Sequence, residues 1–385
     1  MDVLRLIPSF YPHVTGPAYQ AYRISEGLVN RGWNSPILCS DRVPDEAPGY
    51  PPGISEDSDF PFNITRRKTV FSVDQYWIAP GVVTDLFQKE YDIIHAHTYH
   101  NFLKDLAYPI AKLLFNKPLV IHMHGSLGSM FRDPTVERDV QYRLYDGVFK
   151  HTLKNADAVV VSSNQEYNEV TEFGIKKGKI FTIPVGKDPE KYAKFEKTTR
   201  SDFTALFVGR LAPRRNIELL LEAANEYSNI QLEVRIVGGD STLSGASRGD
   251  YLSELQEKVE KLGISDIVTF TGPKYGDDLI REFRKADIFV NPTHYENFGQ
   301  ATLEAAFAEL PIFSTKTGVA LDLVEEGETG EFFENYTQLA DLLRQFVSER
   351  ETTSKMGKKA RKKAMADYQW ESIIDQYMKL YREIY

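Results

Sequence analysis

Short apolar runs that end in glycine, proline or a polar residue recur along this chain. Most are followed by a segment of helical spacing. Val3 to Ile7, Asp92 to His97, Val120 to Gly125 and Asp157 to Val161 form one series; Phe203 to Val208, Leu232 to Val237, Val268 to Thr271 and Ala286 to Val290 form a second. Runs of this length with little polar alternation read as strands buried on both faces. Strands alternating with helices build parallel sheets, so the two series predict two α/β domains. Between them, residues 184–202 (PVGKDPEKYAKFEKTTRSD) lose apolar periodicity and gain charge and proline, the signature of a linker. The first domain is expected over 1–183 and the second over 203–365, with a closing helix over 366–385. That last segment carries Trp370, Ile373, Ile374, Tyr377, Leu380, Tyr381 and Ile384 at helical spacing.

The most informative stretch is Asn291 to Phe313, NPTHYENFGQATLEAAFAELPIF. A strand runs into a polar loop carrying Glu296 and Gly299, and then into an amphipathic helix carrying Glu304. Ligands of parallel α/β folds bind at the carboxyl ends of strands. A helix start there offers unpaired N–H groups and a positive dipole end, suited to phosphate. Carboxylates would repel phosphate but suit hydroxyls. The pair Glu296 and Glu304 therefore points to a ligand with both phosphate and sugar hydroxyl groups.

Glu296-Asn-Phe-Gly-Gln-Ala-Thr-Leu-Glu304, with its flanking strands, resembles the E-x7-E motif of retaining GT-B glycosyltransferases of family four (glycosyl transferases group 1). Gly209-Arg210-Leu211-Ala212-Pro213-Arg214-Arg215-Asn216 is similar to that family's G-R-L-x-x-x-K-G, with Arg215 at the lysine position. Arginine keeps the charge and adds bidentate phosphate contact. Asn216 replaces the glycine and tolerates the same backbone angles. The resemblance implies a GT-B architecture: two Rossmann-like, doubly wound parallel-sheet domains facing a central cleft, the last helix crossing back to the first domain. It also implies that Gly16, Arg210, Arg215, Gly238, Pro273, Glu296, Asn297, Phe298, Gly299 and Glu304 meet the donor. Glu304 is assigned to the ribose hydroxyls and the 296–299 loop to the transferred sugar. Arg210, Arg215, Glu296 and His124 carry the catalytic roles, His124 lying at the carboxyl edge where a strand runs into His-Gly. Departures occur at Gly16-Pro17 and Thr317-Gly318-Val319, where the family has paired glycines, and at Val185-Gly186-Lys187-Asp188, where it has N-G-V-D.

Other features narrow the class. The formal net charge of −9 argues against a general nucleic-acid binder. One cysteine, Cys39, excludes an internal disulfide framework and fits a reducing cytoplasm. The N-terminus reads as a strand and not as a signal peptide. Asp57-Ser58-Asp59 is formally a D-x-D metal motif, but it sits in the Pro/Gly/Asp/Ser-rich segment 44–66 with no strand before it, so no metal is expected. No G-x-G-x-x-G follows a strand and opens a helix, so no dinucleotide cofactor is implied. The basic cluster Lys355 to Lys363 reads as a solvated helix face, with peripheral docking on an anionic membrane as its second reading.

The reading that follows is transfer of a hexosyl unit from a nucleotide diphosphate sugar, UDP ahead of GDP, to a hydroxyl of a glycan or lipid-linked saccharide. Retention of configuration and metal independence are implied by the resemblance. The acceptor should be read by the first domain, including the 44–66 and 126–135 loops. Two rivals share the fold: a nucleotide-sugar epimerase or phosphorylase, and a non-catalytic nucleotide-sugar-binding subunit.

Overall fold

The computed structural model describes residues 1–385 except 14, 42–48, 74–75, 89, 128–139, 199–200, 228–230 and 240–250. The chain divides into two compact units. The first takes the chain to Val185 together with Trp370–Tyr385, and the second runs over Gly186–Gln369.

Among the described residues the first unit holds nine strands: β1 (Val3–Ile7), β2 (Ile37–Ser40), β3 (Ile64–Arg67), β4 (Phe71–Val73), β5 (Tyr76–Ile78), β6 (Ile93–His97), β7 (Leu119–His122), β8 (Ala158–Val161) and β9 (Ile180–Thr182). Seven of them make one parallel sheet in the order β3-β2-β1-β6-β7-β8-β9, while β4 and β5 form a separate antiparallel hairpin. The second unit holds β10 (Phe203–Val208), β11 (Leu232–Val237), β12 (Val268–Gly272), β13 (Ile288–Asn291), β14 (Ile312–Ser314) and β15 (Gly330–Phe332), ordered β12-β11-β10-β13-β14-β15. All of its pairings are parallel. In each sheet the chain winds outward on one side and then returns to start again beside its first strand. That reversal creates a switch point between β1 and β6, and another between β10 and β13. Loops diverge there and leave a crevice at the carboxyl edge.

Burial explains why the apolar runs were visible. Every residue of β1, β6, β7 and β8 is buried. The helix Trp370–Ile384 packs on the helix Gly16–Val29 of the first unit. A Cβ at Gly27 would meet Ile374 Cγ1 at 2.5 Å, and the Trp370 ring lies 6.0 Å from Tyr19. Each large side chain buried on this stripe contributes roughly 2 kcal/mol.

The structure adds to three of these readings. The 44–66 segment, read as irregular, ends in β3, whose Ile64–Arg67 pairs in parallel register with Ile37–Ser40. Residues 184–202 are not a bare linker in their first half: Val185 and Tyr192 are buried, the Tyr192 ring stacks on Phe307 at 5.8 Å, and the Lys187 amide donates to the Tyr368 carbonyl. The basic cluster at 355–363 is largely neutralised by its neighbours. Lys355 pairs with Glu351, Lys359 with Glu328, Arg361 with Glu309 and Lys363 with Glu325. Positions 44–48 and 128–135 of the two acceptor-side loops lie outside the described residues.

Candidate active site

The switch point of the second sheet brings the motif residues of β10 and β13 together. β10 delivers Gly209 and Arg210, and a single 3₁₀ turn, Pro213–Arg215, follows. Asn216 closes that turn at φ 50°, ψ 42°, the left-handed angles that asparagine tolerates better than most residues. The turn is tied to the neighbouring loop, because the His294 amide donates to the Arg214 carbonyl at 3.0 Å. Arg215 Nη1 then lies 2.7 Å from Glu296 Oε1, with both side chains mostly shielded from solvent. Arg210 is exposed and makes no ion pair among the described residues. Desolvation at the loop mouth, then the charges of Arg214 and Arg215, pull its pKa below the ordinary arginine value. The like charges of Arg214 and Arg215 thus act on Arg210, and Glu296 opposes them.

Glycines set how closely these loops approach. Gly238 has φ 157°, and a Cβ there would sit 1.8 Å from the carbonyl oxygen of Gly209. The strand-end loops after β10 and β11 are thus pressed together, with Gly209 N donating to Val237 O and Leu211 N to Gly239 O. Pro273, just past β12, packs beside Gly239 at 3.5 Å from the position of its absent Cβ. Gly318, the one glycine left of the expected pair, is the one the geometry demands: φ is 55°, and a Cβ would lie 2.6 Å from Phe298 O. Thr317 Oγ1 accepts from Glu296 N at 2.8 Å, and Val319 N donates to Phe298 O at 2.5 Å. The 317–319 turn therefore clamps the loop Glu296, Asn297, Phe298, Gly299. Gly299 itself, at φ 92°, is the N-cap of the helix Gln300–Phe307.

Glu304 lies on that helix and is met by a residue the sequence reading passed over. Lys187 Nζ reaches Glu304 Oε1 at 2.6 Å and Gln300 Oε1 at 2.8 Å, and Lys187 is 7% exposed. Its signal was the departure from N-G-V-D, where a lysine stands in place of valine.

In the first unit, Gly16 is the first residue of the helix Gly16–Val29. Thr15 caps it by accepting from the Ala18 amide at 3.2 Å, and Pro17 occupies the turn where its missing N–H costs least. His124 sits in a left-handed turn with Gly125, at φ 51° and 78°. Glu166 holds this turn, accepting from the Gly125 amide and, at 2.7 Å, from the Ser162 amide. Burial raises the Glu166 pKa to about 7, against the lowering effect of those two amides.

Behind His124 lies a buried histidine group. Arg5 donates to the Tyr381 hydroxyl at 3.0 Å and lies 3.3 Å from His97 Nε2. A guanidinium only donates, so His97 Nε2 accepts and its proton sits on Nδ1. His97 Nδ1 lies 2.9 Å from His124 Nε2, which must then accept, leaving the His124 proton on Nδ1. The Tyr381 hydroxyl, having accepted from Arg5, donates to His95 Nδ1 at 2.6 Å. Burial holds the His124 pKa down to about 3, so this imidazole is a neutral hydrogen-bonding group and not a proton donor of the imidazolium kind. Nitrogen atoms of His95, His97 and His122 come within 4.8 Å of one another. The Arg5 guanidinium occupies the acceptor side of His97, and its positive charge opposes a cation there.

The D-x-D motif is spent locally. Arg66 pairs with Asp57 at 2.6 Å, and Asp59 accepts from the Ser55 and Glu56 amides.

Comparison with known proteins agrees with this fold. The Glycosyltransferase Family 4 model matches residues 14–191, and the Glycosyl transferases group 1 model matches 188–363. The D-inositol 3-phosphate glycosyltransferase of Corynebacterium urealyticum is 29% identical over 323 residues, covering 76% of this chain and 72% of that protein. Among solved structures, sucrose-phosphate synthase from Thermosynechococcus elongatus superposes with a TM-score of 0.78 at 22% identity, covering 100% of this chain and 99% of the other. Anabaena HepE in complex with UDP and glucose superposes at 0.76 and 19% identity, covering 100% of each chain. With both family models laid nearly end to end on its two sheets, the chain belongs to the GT-B glycosyltransferases of group 1 and family 4, enzymes of nucleotide sugars.

Proposed function

We propose that this glycosyltransferase moves a hexosyl group from a UDP-sugar to a hydroxyl of a glycan or lipid-linked saccharide, with retention of configuration and without a metal ion. The observation that carries the reading is the pairing of Arg215 with Glu296 beside the exposed Arg210, at the switch point of the second sheet. As the sugar–phosphate bond breaks, negative charge builds on the leaving diphosphate. Arg215, already fixed at that edge, stabilises it without reorganising, and the exposed Arg210 adds its charge. Their charge does what a divalent ion would otherwise do. Glu296, held by Arg215 and by the 317–319 turn, is placed to meet the transferred sugar, and Glu304 the ribose hydroxyls. No side chain is assigned as a covalent nucleophile. Retention is read as same-face attack, with the leaving phosphate taking the acceptor proton.

UDP is placed ahead of GDP because the similar Anabaena structures hold UDP, UDP with glucose, or UDP-glucose. The curated relatives are named for D-inositol 3-phosphate, which makes a phosphorylated cyclitol the first acceptor to set against glycans.

The test is thermal stability of the protein with UDP, GDP, ADP and their sugars. A ligand that binds the native state at a hundred times its Kd stabilises by about 2.7 kcal/mol. A shift with the UDP series alone, lost in Arg210→Ala and Glu304→Ala, supports the reading, and a shift only with GDP compounds overturns the base assignment. Release of UDP that requires an acceptor separates transfer from epimerisation. The anomeric proton coupling of the product reports retention or inversion.

A further inference from the structure

The amino edge of the second sheet, opposite the Arg210 and Glu296 loops, gathers charge from several segments of the second unit. Arg284 sits in the last turn of the helix Gly276–Lys285, ahead of β13. Its carbonyl accepts from the Thr198 amide at 3.0 Å, which seats the connecting segment, and Lys197 with it, against that turn. Its Nη1 donates to the Ala308 carbonyl at 3.1 Å and lies 3.8 Å from Glu309 Oε2, just ahead of β14. The helix Arg350–Asp367 presses on the same turn, where a Cβ at Gly357 would meet the Glu309 carbonyl oxygen at 2.0 Å. Lys358 and Arg361 are carried alongside, and Arg361 Nη1 lies 3.5 Å from Glu309 Oε1. Asp287 completes the group. Its Oδ2 accepts from the Thr204 amide at 2.9 Å and lies 3.9 Å from Arg350 Nη1.

The charges here do not balance. Lys197, Arg284, Lys358 and Arg361 face two carboxylates, Asp287 and Glu309, a surplus of two positive charges before Arg350 is counted. Glu309 is shared between two guanidinium groups and holds neither closer than 3.5 Å. Lys197 and Lys358 make no hydrogen bond and no close ion pair among the described residues. Arg284 Nε is buried without a hydrogen-bond partner among them, on a side chain 11% exposed. A buried N–H left this way costs stability until something accepts from it. Burial lowers the Lys197 pKa first of all; Asp287 opposes that, and the charges of Arg284 and Lys358 add to it. A fixed guanidinium N–H beside ammonium groups that can turn toward the same point suits the oxygens of a phosphoryl group. A single carboxylate would offset only half of the surplus.

The geometry points to an anion site at this edge, in which Lys197, Arg284 Nε, Lys358 and Arg361 hold one phosphoryl dianion, either inorganic phosphate or the phosphate of a small soluble phosphomonoester. Bound there, it ties the connecting segment at Lys197 to the helix Arg350–Asp367. The site is separate from the one proposed for the donor diphosphate and holds whatever the transfer reaction is.

The experiment is calorimetric titration of inorganic phosphate into the intact chain, with ionic strength fixed by sodium chloride, in the absence and presence of UDP. Phosphate should bind saturably at one site, and UDP should not displace it. Lys197→Ala/Lys358→Ala should weaken it several-fold, and so should Arg284→Lys, which keeps the charge but removes the Nε–H donor. In chloride alone the double variant should melt no lower than wild type, because neither lysine holds a close ion pair. Only the rise in melting temperature brought by phosphate should shrink. No saturable binding, or binding unchanged in the double variant, overturns the proposal. So does phosphate that UDP displaces, which would put the anion at the Arg210 and Arg215 edge.

Discussion

Lys187 closes on Glu304 across 117 residues of sequence, Nζ to Oε1 at 2.6 Å, and neither side chain is more than 16% exposed. The pair engages one oxygen of the carboxylate; the proposed function assigns the other to a ligand hydroxyl. Removing one member of a mostly buried pair strands the remaining charge. Lys187→Met should therefore destabilise the second unit by about 3 kcal/mol. It should also weaken donor binding about tenfold, the size of one charge-assisted hydrogen bond. Urea unfolding and donor titration check the two effects. Lys187→Met/Glu304→Gln should cost less than the sum of the single changes, and strict additivity would show that the pair is not coupled.

Gly238 tests the close approach of the two strand-end loops. Alanine there drives a methyl group to 1.8 Å from Gly209 O, and backbone on both sides must move. A loss of about 3 kcal/mol or more is expected, together with loss of donor affinity, since Gly209 leads directly into Arg210. Gly263→Ala is the control. Its φ is 68° with nothing within 4 Å of the added methyl, so only the backbone angle is strained, at about 1 kcal/mol. Thermal melts and donor titration of the two variants separate crowding from conformational strain.

These residues also show what the sequence made legible. The strands announced themselves because parallel strands buried on both faces leave unbroken apolar runs, and the switch-point loops followed from their order. β3 escaped notice because Ile64-Thr-Arg-Arg67 is only partly buried at the sheet edge and carries no apolar run. Arg5 hid inside β1 for the opposite reason. A charge within Val-Leu-Arg-Leu-Ile reads as a solvent-facing position, yet this one is fully buried and satisfied by Tyr381, 376 residues away. Lys187 was hidden because its meaning is a contact and not a pattern. Distances in sequence of this kind carry no periodicity, so only the folded chain displays them.

Glu166 makes stability depend on pH. Its folded pKa of about 7 lies above the ordinary glutamate value of 4.5, so the native state holds the proton more tightly than the unfolded chain does. Stability linked to this group is complete below about pH 4.5 and falls as pH rises through 7, by about 3 kcal/mol at 1.36 kcal/mol per pKa unit. Glu166→Gln should flatten that part of the profile. It should also carry a pH-independent cost, because the amide NH₂ faces a backbone donor at Gly125 or Ser162. Urea midpoints of both proteins from pH 5 to about 8 decide it. Parallel profiles would mean that Glu166 does not titrate in this window.

The hydrogen-bond order Arg5, His97, His124 predicts one tautomer. With the His97 proton on Nδ1, His124 accepts at Nε2 and holds its own proton on Nδ1. Burial keeps that ring neutral down to about pH 3. Nitrogen-15 spectra should therefore show His124 unprotonated at Nε2 and protonated at Nδ1 across the whole range of stable folding. His97→Gln should release that constraint by replacing the ring N–H with an amide that can point either way. Turnover should then fall while donor affinity, which the proposed function assigns chiefly to Arg210, Arg215, Glu296 and Glu304, stays near wild type. An imidazolium signal for His124 above pH 5, or a turnover profile that follows its ionisation, would show the ring to be far less buried than its contacts with His97 and His122 make it.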